Sequence, residues 1–157
     1  VTRPSMTRPS NYPLSKALMA VLQTIDIGAD QDGYELMPVG WGVAPNAPLP
    51  YLVLTSFSSR EGEGPMDDIQ ADTPDVYQIS ALGETAQQAE AALSLSRTVL
   101  TKLALQTALD EETSGTDDRH IMFIMGTLNG QLFRDERGMP EPVFGVFDQI
   151  TVKTTPK

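Results

Sequence analysis

The sequence predicts an α+β domain: a mostly antiparallel, mixed sheet of four to five strands with two helices packed on one face. Three observations carry this. Segments 51–57 and 76–82 are rich in β-branched and aromatic residues, and the connection between them lacks helical periodicity, so they pair antiparallel. Apolar residues recur at 3–4 spacing along 14–25 and again along 86–109, the period of a helix with one buried face. Finally, 157 residues that are 40% hydrophobic supply one core, not two.

Taken in order, residues 1–12 hold Pro4 and Pro9 among polar spacers and read as an extended arm. The arm carries Arg3 and Arg8 without an acid, and Thr2-Arg3-Pro4-Ser5 recurs as Thr7-Arg8-Pro9-Ser10. The domain is expected to span 13–153, with 154–157 as a tail. Pro13 suits a first helical turn, and Leu14, Ala17, Leu18, Val21, Leu22 and Ile25 then share one face until Gly28. Asp30-Gln31-Asp32-Gly33 is a turn cluster and not a calcium loop, because Gly28 and Val39 occupy the first and last ligand positions. Gly40–Val43 reads as a short strand, with Trp41 at the edge of the core, and Pro45, Pro48 and Pro50 keep the chain extended.

After the strand 51–57, residues 58–75 read as a long loop holding Glu61, Glu63, Asp67, Asp68, Asp72 and Asp75 against Arg60. The strand 76–82 places Tyr77, Ile79 and Ala81 on one face and closes at Gly83. Thr85-Ala86-Gln87-Gln88 has the form of a capping box and opens a long helix over 86–109. Its expected buried stripe is Ala89, Leu93, Leu100, Leu103 and Ala104, widened by Leu95 and Val99. An acidic loop, 110–118, leads to 120–125, which is apolar on both faces and therefore reads as a central strand. Asn129-Gly130 signals a tight turn, and 131–141 is charged and turn-like. The last strand, 143–152, alternates Phe144, Val146, Ile150 and Val152 inward, with Asp148 interrupting the row.

Charge and chemistry narrow the function. The net charge is −10, and residues 17–152 hold all 21 acids against six bases, so the body is strongly acidic between basic flanks. That balance opposes ordinary affinity for nucleic acid or anionic lipid. No apolar run approaches the roughly 20 residues that span a bilayer. The expectation is an acidic, soluble domain made in the cytoplasm, with no membrane partner. The absence of cysteine excludes disulfides and thiolate metal sites, and one histidine, His120, does not build a histidine metal centre. No phosphate-binding loop, dinucleotide fingerprint or nucleophile elbow is present. The sequence therefore assigns no catalytic residue, cofactor or metal. A basic arm beside an acidic body reads equally as a clasp on a neighbouring copy, with Arg3 and Arg8 as its contacts, or as a frayed, solvated tail.

The run Pro50-Tyr51-Leu52-Val53-Leu54, the acidic Gly/Pro loop, then Asp75 to Gly83 followed directly by Thr85-Ala86-Gln87-Gln88-Ala89-Glu90 and a long helix resembles the tail terminator proteins of long-tailed bacteriophages, in particular those of actinobacterial phages. The resemblance covers most of 13–152. It does not extend to the duplicated basic arm or to the 128–142 connection. It implies a structural virion protein and not an enzyme: a homo-hexameric ring on the head-proximal end of the tail tube that stops tube polymerisation and joins the tail to the neck connector. The implied partners are other copies of the chain, the tube protein and the connector, with genome DNA passing through the lumen unbound. Glu61, Glu63, Asp67, Asp68, Asp72 and Asp75, or the 110–118 loop, are then expected to face the lumen or a neighbouring ring. The alternatives are another neck or head–tail adaptor ring and, in a different class, a small acidic monomeric enzyme or ligand-binding domain. Solution mass separates the ring proteins from the last of these.

Overall fold

The opening apolar face forms helix α1, Tyr12–Leu22, whose Leu14, Ala17, Leu18, Val21 and Leu22 are buried. The chain turns back through Ile25, whose carbonyl accepts the Met37 N–H, and enters strand β1, Val39–Trp41. Gly42 follows at φ 71, a left-handed conformation that suits glycine. Strands β2, Tyr51–Ser56, and β3, Thr73–Gly83, pair antiparallel as expected, while β1 runs parallel to β2. Helices α2, Ala86–Val99, and α3, Lys102–Glu112, come next, and then β4, Arg119–Asn129, β5, Phe133–Asp135, and β6, Val143–Pro156. This computed structural model describes residues 12–27, 36–56, 73–113, 119–129, 133–135 and 143–156.

The architecture is α+β, with six strands and three helices among the described residues. The sheet order is β1-β2-β3-β6-β4, and β5 pairs with the start of β6. One face carries Leu52, Leu54, Tyr77, Ile79, Ala81, Val146, Ile150 and Val152, which join the apolar sides of all three helices in a single core. Glycine is required where α2 settles on the sheet: a Cβ at Gly83 would lie 2.8 Å from the Ala89 backbone nitrogen.

The structure corrects several expectations. The helix expected over 86–109 is two helices. Leu100 leaves the helical conformation at ψ 82, and Thr101 starts α3 by accepting the Ala104 N–H on its hydroxyl at 3.1 Å. The break changes the phase of the stripe, so Ala89, Ala92, Leu93 and Ser96 are buried in α2, and Leu105 and Leu109 in α3. Leu103, expected inside, is 78% exposed. At the front of α2 the capping box forms as Gln88 N–H to Thr85 Oγ1, while Gln88 Oε1 takes the Glu84 N–H.

The sheet differs as well. Strand β4 lies at an edge instead of the centre, and β6 is flanked on both sides. The turn expected at Asn129-Gly130 runs into residues outside the described ones, and β4 and β5 both run antiparallel to β6 along its same side, at Asp148–Pro156 and Val143–Gly145. Residues 154–156, expected in a tail, continue β6, with Thr154 buried. Because β6 is that long, β3 extends back along it, and Thr73, Pro74 and Asp75 pair with Thr154, Lys153 and Val152.

Candidate functional site at the sheet edges

Strand β4 owes its surface to a bulge. Ile121 is opposite Thr154 but Phe123 is opposite Lys153, so Met122 is the extra residue. The shift lets Ile121 and Ile124 both face the helices, while Phe123 and Met125 face the open side of the sheet. Met122, Phe123 and Met125 are exposed, the last by 50%. Lys153 lies over the Phe123 ring at 5.9 Å. Gln106 of α3 holds the start of this edge in place: its Oε1 accepts the Ile121 N–H at 2.7 Å and its Nε2 donates to the Arg119 carbonyl at 3.4 Å. Apolar residues on both sides of 120–125 therefore mark a surface strand and not a central one.

The opposite edge, β1, has its own apolar group. Trp41, expected as a packed core edge, is 41% exposed on the side that Leu54 faces, and Val43 just beyond it is exposed. The two edges differ in length, direction and residue type, and the width of the sheet separates them.

A groove of about 590 Å³ lies near the β1 edge, lined by Met37, Leu49, Pro50, Ala91, Ala92 and Leu95, with Asp26, Ile27, Glu84 and Gln88 completing it. A smaller cavity of about 230 Å³ opens between α2 and β4 over Ile79, Ile124, Gly126 and Ile150. At its rim Asp148, the acid that interrupts the inward row of β6, accepts Arg97 Nε at 2.6 Å and Nη2 at 2.7 Å. The Asp148 hydrogen bond comes first among the causes that hold the Arg97 guanidinium above its ordinary range. This pair was not read from the sequence. The available signal was one acid in an inward register position and an arginine near the end of the helix that crosses it.

The predicted contact residues fare unevenly. Arg3, Arg8, Glu61, Glu63, Asp67, Asp68 and Asp72 lie outside the described residues. Asp75 belongs to β3 instead of a loop, faces the helices and is 4% exposed, so it does not present its carboxylate to a lumen. Its neighbour Tyr77 is fully buried and shares a 3.2 Å hydrogen bond with Ser15. In the loop expected at 110–118, Asp110, Glu111 and Glu112 are instead helical, and Glu112 pairs with Lys16 of α1 at 3.2 Å.

Among the described residues, no group of three or more His, Asp or Glu side chains is placed to hold a metal. No helix among them is long and apolar enough to cross a membrane. The chain matches no family model, and no curated protein matches it. The features that distinguish its surface are therefore the two unlike apolar edges and the acidic groove beside one of them.

Proposed function

We propose that this chain is a ring-forming structural subunit of a bacteriophage tail, a tail terminator. It caps the head-proximal end of the tube and joins it to the neck connector. The observation that carries this reading is the pair of exposed apolar edges on opposite sides of one sheet, Met122, Phe123 and Met125 on β4 and Trp41 and Val43 beside β1. A cyclic homo-oligomer needs two different, complementary surfaces on each subunit, set so that successive contacts close. Two unlike apolar edges supply such a pair, whereas a two-fold dimer uses one self-complementary patch. Resemblance in the order of elements over 13–152 adds the tail assignment.

In this reading the ring is a hexamer in the virion. Its partners are the tube protein on one side and the connector on the other, and Glu61, Glu63, Asp67, Asp68 and Asp72 line the lumen, where carboxylates repel the phosphates of passing DNA. Tails assembled with and without the chain test the assignment by electron microscopy. Tubes of uncontrolled length, or tails that fail to join heads, are expected in its absence. Normal, infectious virions without it overturn the reading. A missing neck ring with tubes of normal length points instead to an adaptor.

A further inference from the structure

The groove beside β1 has a composition that the ring reading alone does not use. Its floor is apolar, formed by Met37, Ala92 and Leu95, and exposed Leu36 directly precedes Met37. Two exposed acids, Asp26 and Glu84, stand among its lining residues, and neither Lys nor Arg does. The segment preceding α1 has the complementary composition: residues 1–11 carry Arg3 and Arg8, Val1, Met6 and two prolines, and no acid. Pro9 and Pro4 favour extended backbone, which loses little entropy when it settles into a groove.

The fold also sets where this segment starts. Lys16, one turn into α1, pairs with Glu112 at the end of α3, and α3 is tied by Gln106 to the first residues of β4. The beginning of α1 is thus at the end of the sheet where β4 starts. The groove is at the other end, where β2 starts and β3 finishes, and Asp26 and Ile27 lie beyond the far end of α1. Tyr12, where residues 1–11 join the described chain, is therefore at the end of the sheet opposite the groove.

We propose that residues 1–11 of one copy occupy the groove of the next, with Arg3 and Arg8 meeting Asp26 and Glu84 and with Met6 on the apolar floor. This rests on the self-assembling reading above and gives it a specific strap between subunits, adjacent to the β1 edge.

The native chain contains no cysteine, which makes a crosslink unambiguous. A Met6→Cys, Ala91→Cys variant of the full chain is oxidised mildly, its mass in solution is measured, and the products are separated without reductant. Ala91 is an exposed groove residue in α2, so Ala91→Cys leaves the core intact. The expected result is a ladder of covalent multimers, which forms more slowly when Asp26→Asn and Glu84→Gln are added or when salt is raised to about 1 M. The two charge removals are expected to slow crosslinking on the order of tenfold, as two exposed ion pairs allow. Oligomers that form without any crosslink, or a crosslink only within single chains, overturn the strap and leave the ring reading standing. A chain that stays monomeric at every concentration overturns both. A Met6→Cys, Leu95→Cys pair repeats the measurement from the next turn of α2.

Discussion

Replacing Arg97 by methionine should cost more stability than removing the charge of its partner, because the two ends of this ion pair sit in different environments. The Asp148 side chain is 6% exposed and that of Arg97 54%. Loss of the guanidinium removes both donors from a carboxylate held against Ile79, Ile124 and Ile150. Loss of the carboxylate's charge instead leaves a guanidinium that water already reaches. A buried charged acceptor stripped of its partner costs about 3–5 kcal/mol when both ends are buried. Solvent at the arginine end lowers this to about 2–3 kcal/mol for Arg97→Met. Asp148→Asn keeps the shape and one acceptor and should cost about 0.5–1.5 kcal/mol. The double variant should therefore be more stable than Arg97→Met alone, with a coupling of about 1–2 kcal/mol. Urea denaturation at pH 7 measures all four corners of the cycle, and Arg97→Met should lower the melting temperature by about 5–10 °C. Equal costs for the two single variants, or a cost below about 0.5 kcal/mol for Arg97→Met, would refute the argument that Asp148 is the desolvated end.

Three further outcomes follow from the same geometry. Leu105→Ala should cost about 2–5 kcal/mol by opening the core, while Leu103→Ala, two residues earlier, should change the urea midpoint by less than about 0.5 kcal/mol; similar losses at both would mean that α3 does not restart at Thr101. Gly83→Ala should destabilise by about 1–3 kcal/mol because its methyl meets the α2 backbone, whereas Gly126→Ala, which meets nothing within 4 Å, should be neutral or stabilising in thermal melts. Burial pushes the Tyr77 hydroxyl above its ordinary value of 10.0; the Ser15 hydrogen bond opposes this and the Asp75 charge adds to it. The folded state then holds a proton that the unfolded chain releases, so the contribution is full below pH 10 and is lost as the pH rises, by about 1.4 kcal/mol per unit. The stability gap between the native chain and Tyr77→Phe, measured by urea at pH 9 to 11, should shrink accordingly, and a constant gap would contradict the burial argument.

Alternation and helical spacing made most of the fold legible. The inward rows Tyr77, Ile79, Ala81 and Val146, Ile150, Val152, the α1 face and the Thr85 cap all depend on neighbours within a few residues along the chain, and period decides them. The candidate surface was less legible. A strand apolar on both faces reads as central, but at an edge the same pattern supplies an exposed patch, and which of the two applies depends on the partner of β6. The arm's basic charge and proline content were visible in the sequence, whereas the groove that suits them is assembled from segments up to 69 positions apart, Asp26 to Leu95.

By itself, then, the sequence determined the α+β class, the antiparallel β2–β3 pair, the helix-facing rows and the acidic body between basic flanks, because each follows from local period or composition. Only the tertiary structure decided where the long helix breaks, that β4 lies at an edge of the six-stranded sheet, that Asp75 is buried and that Arg97 holds Asp148. Those outcomes are set by competition between distant partners. A strand apolar on both faces becomes an edge only when no further strand pairs with it, and a buried acid is tolerated only where another element carries a cation to it.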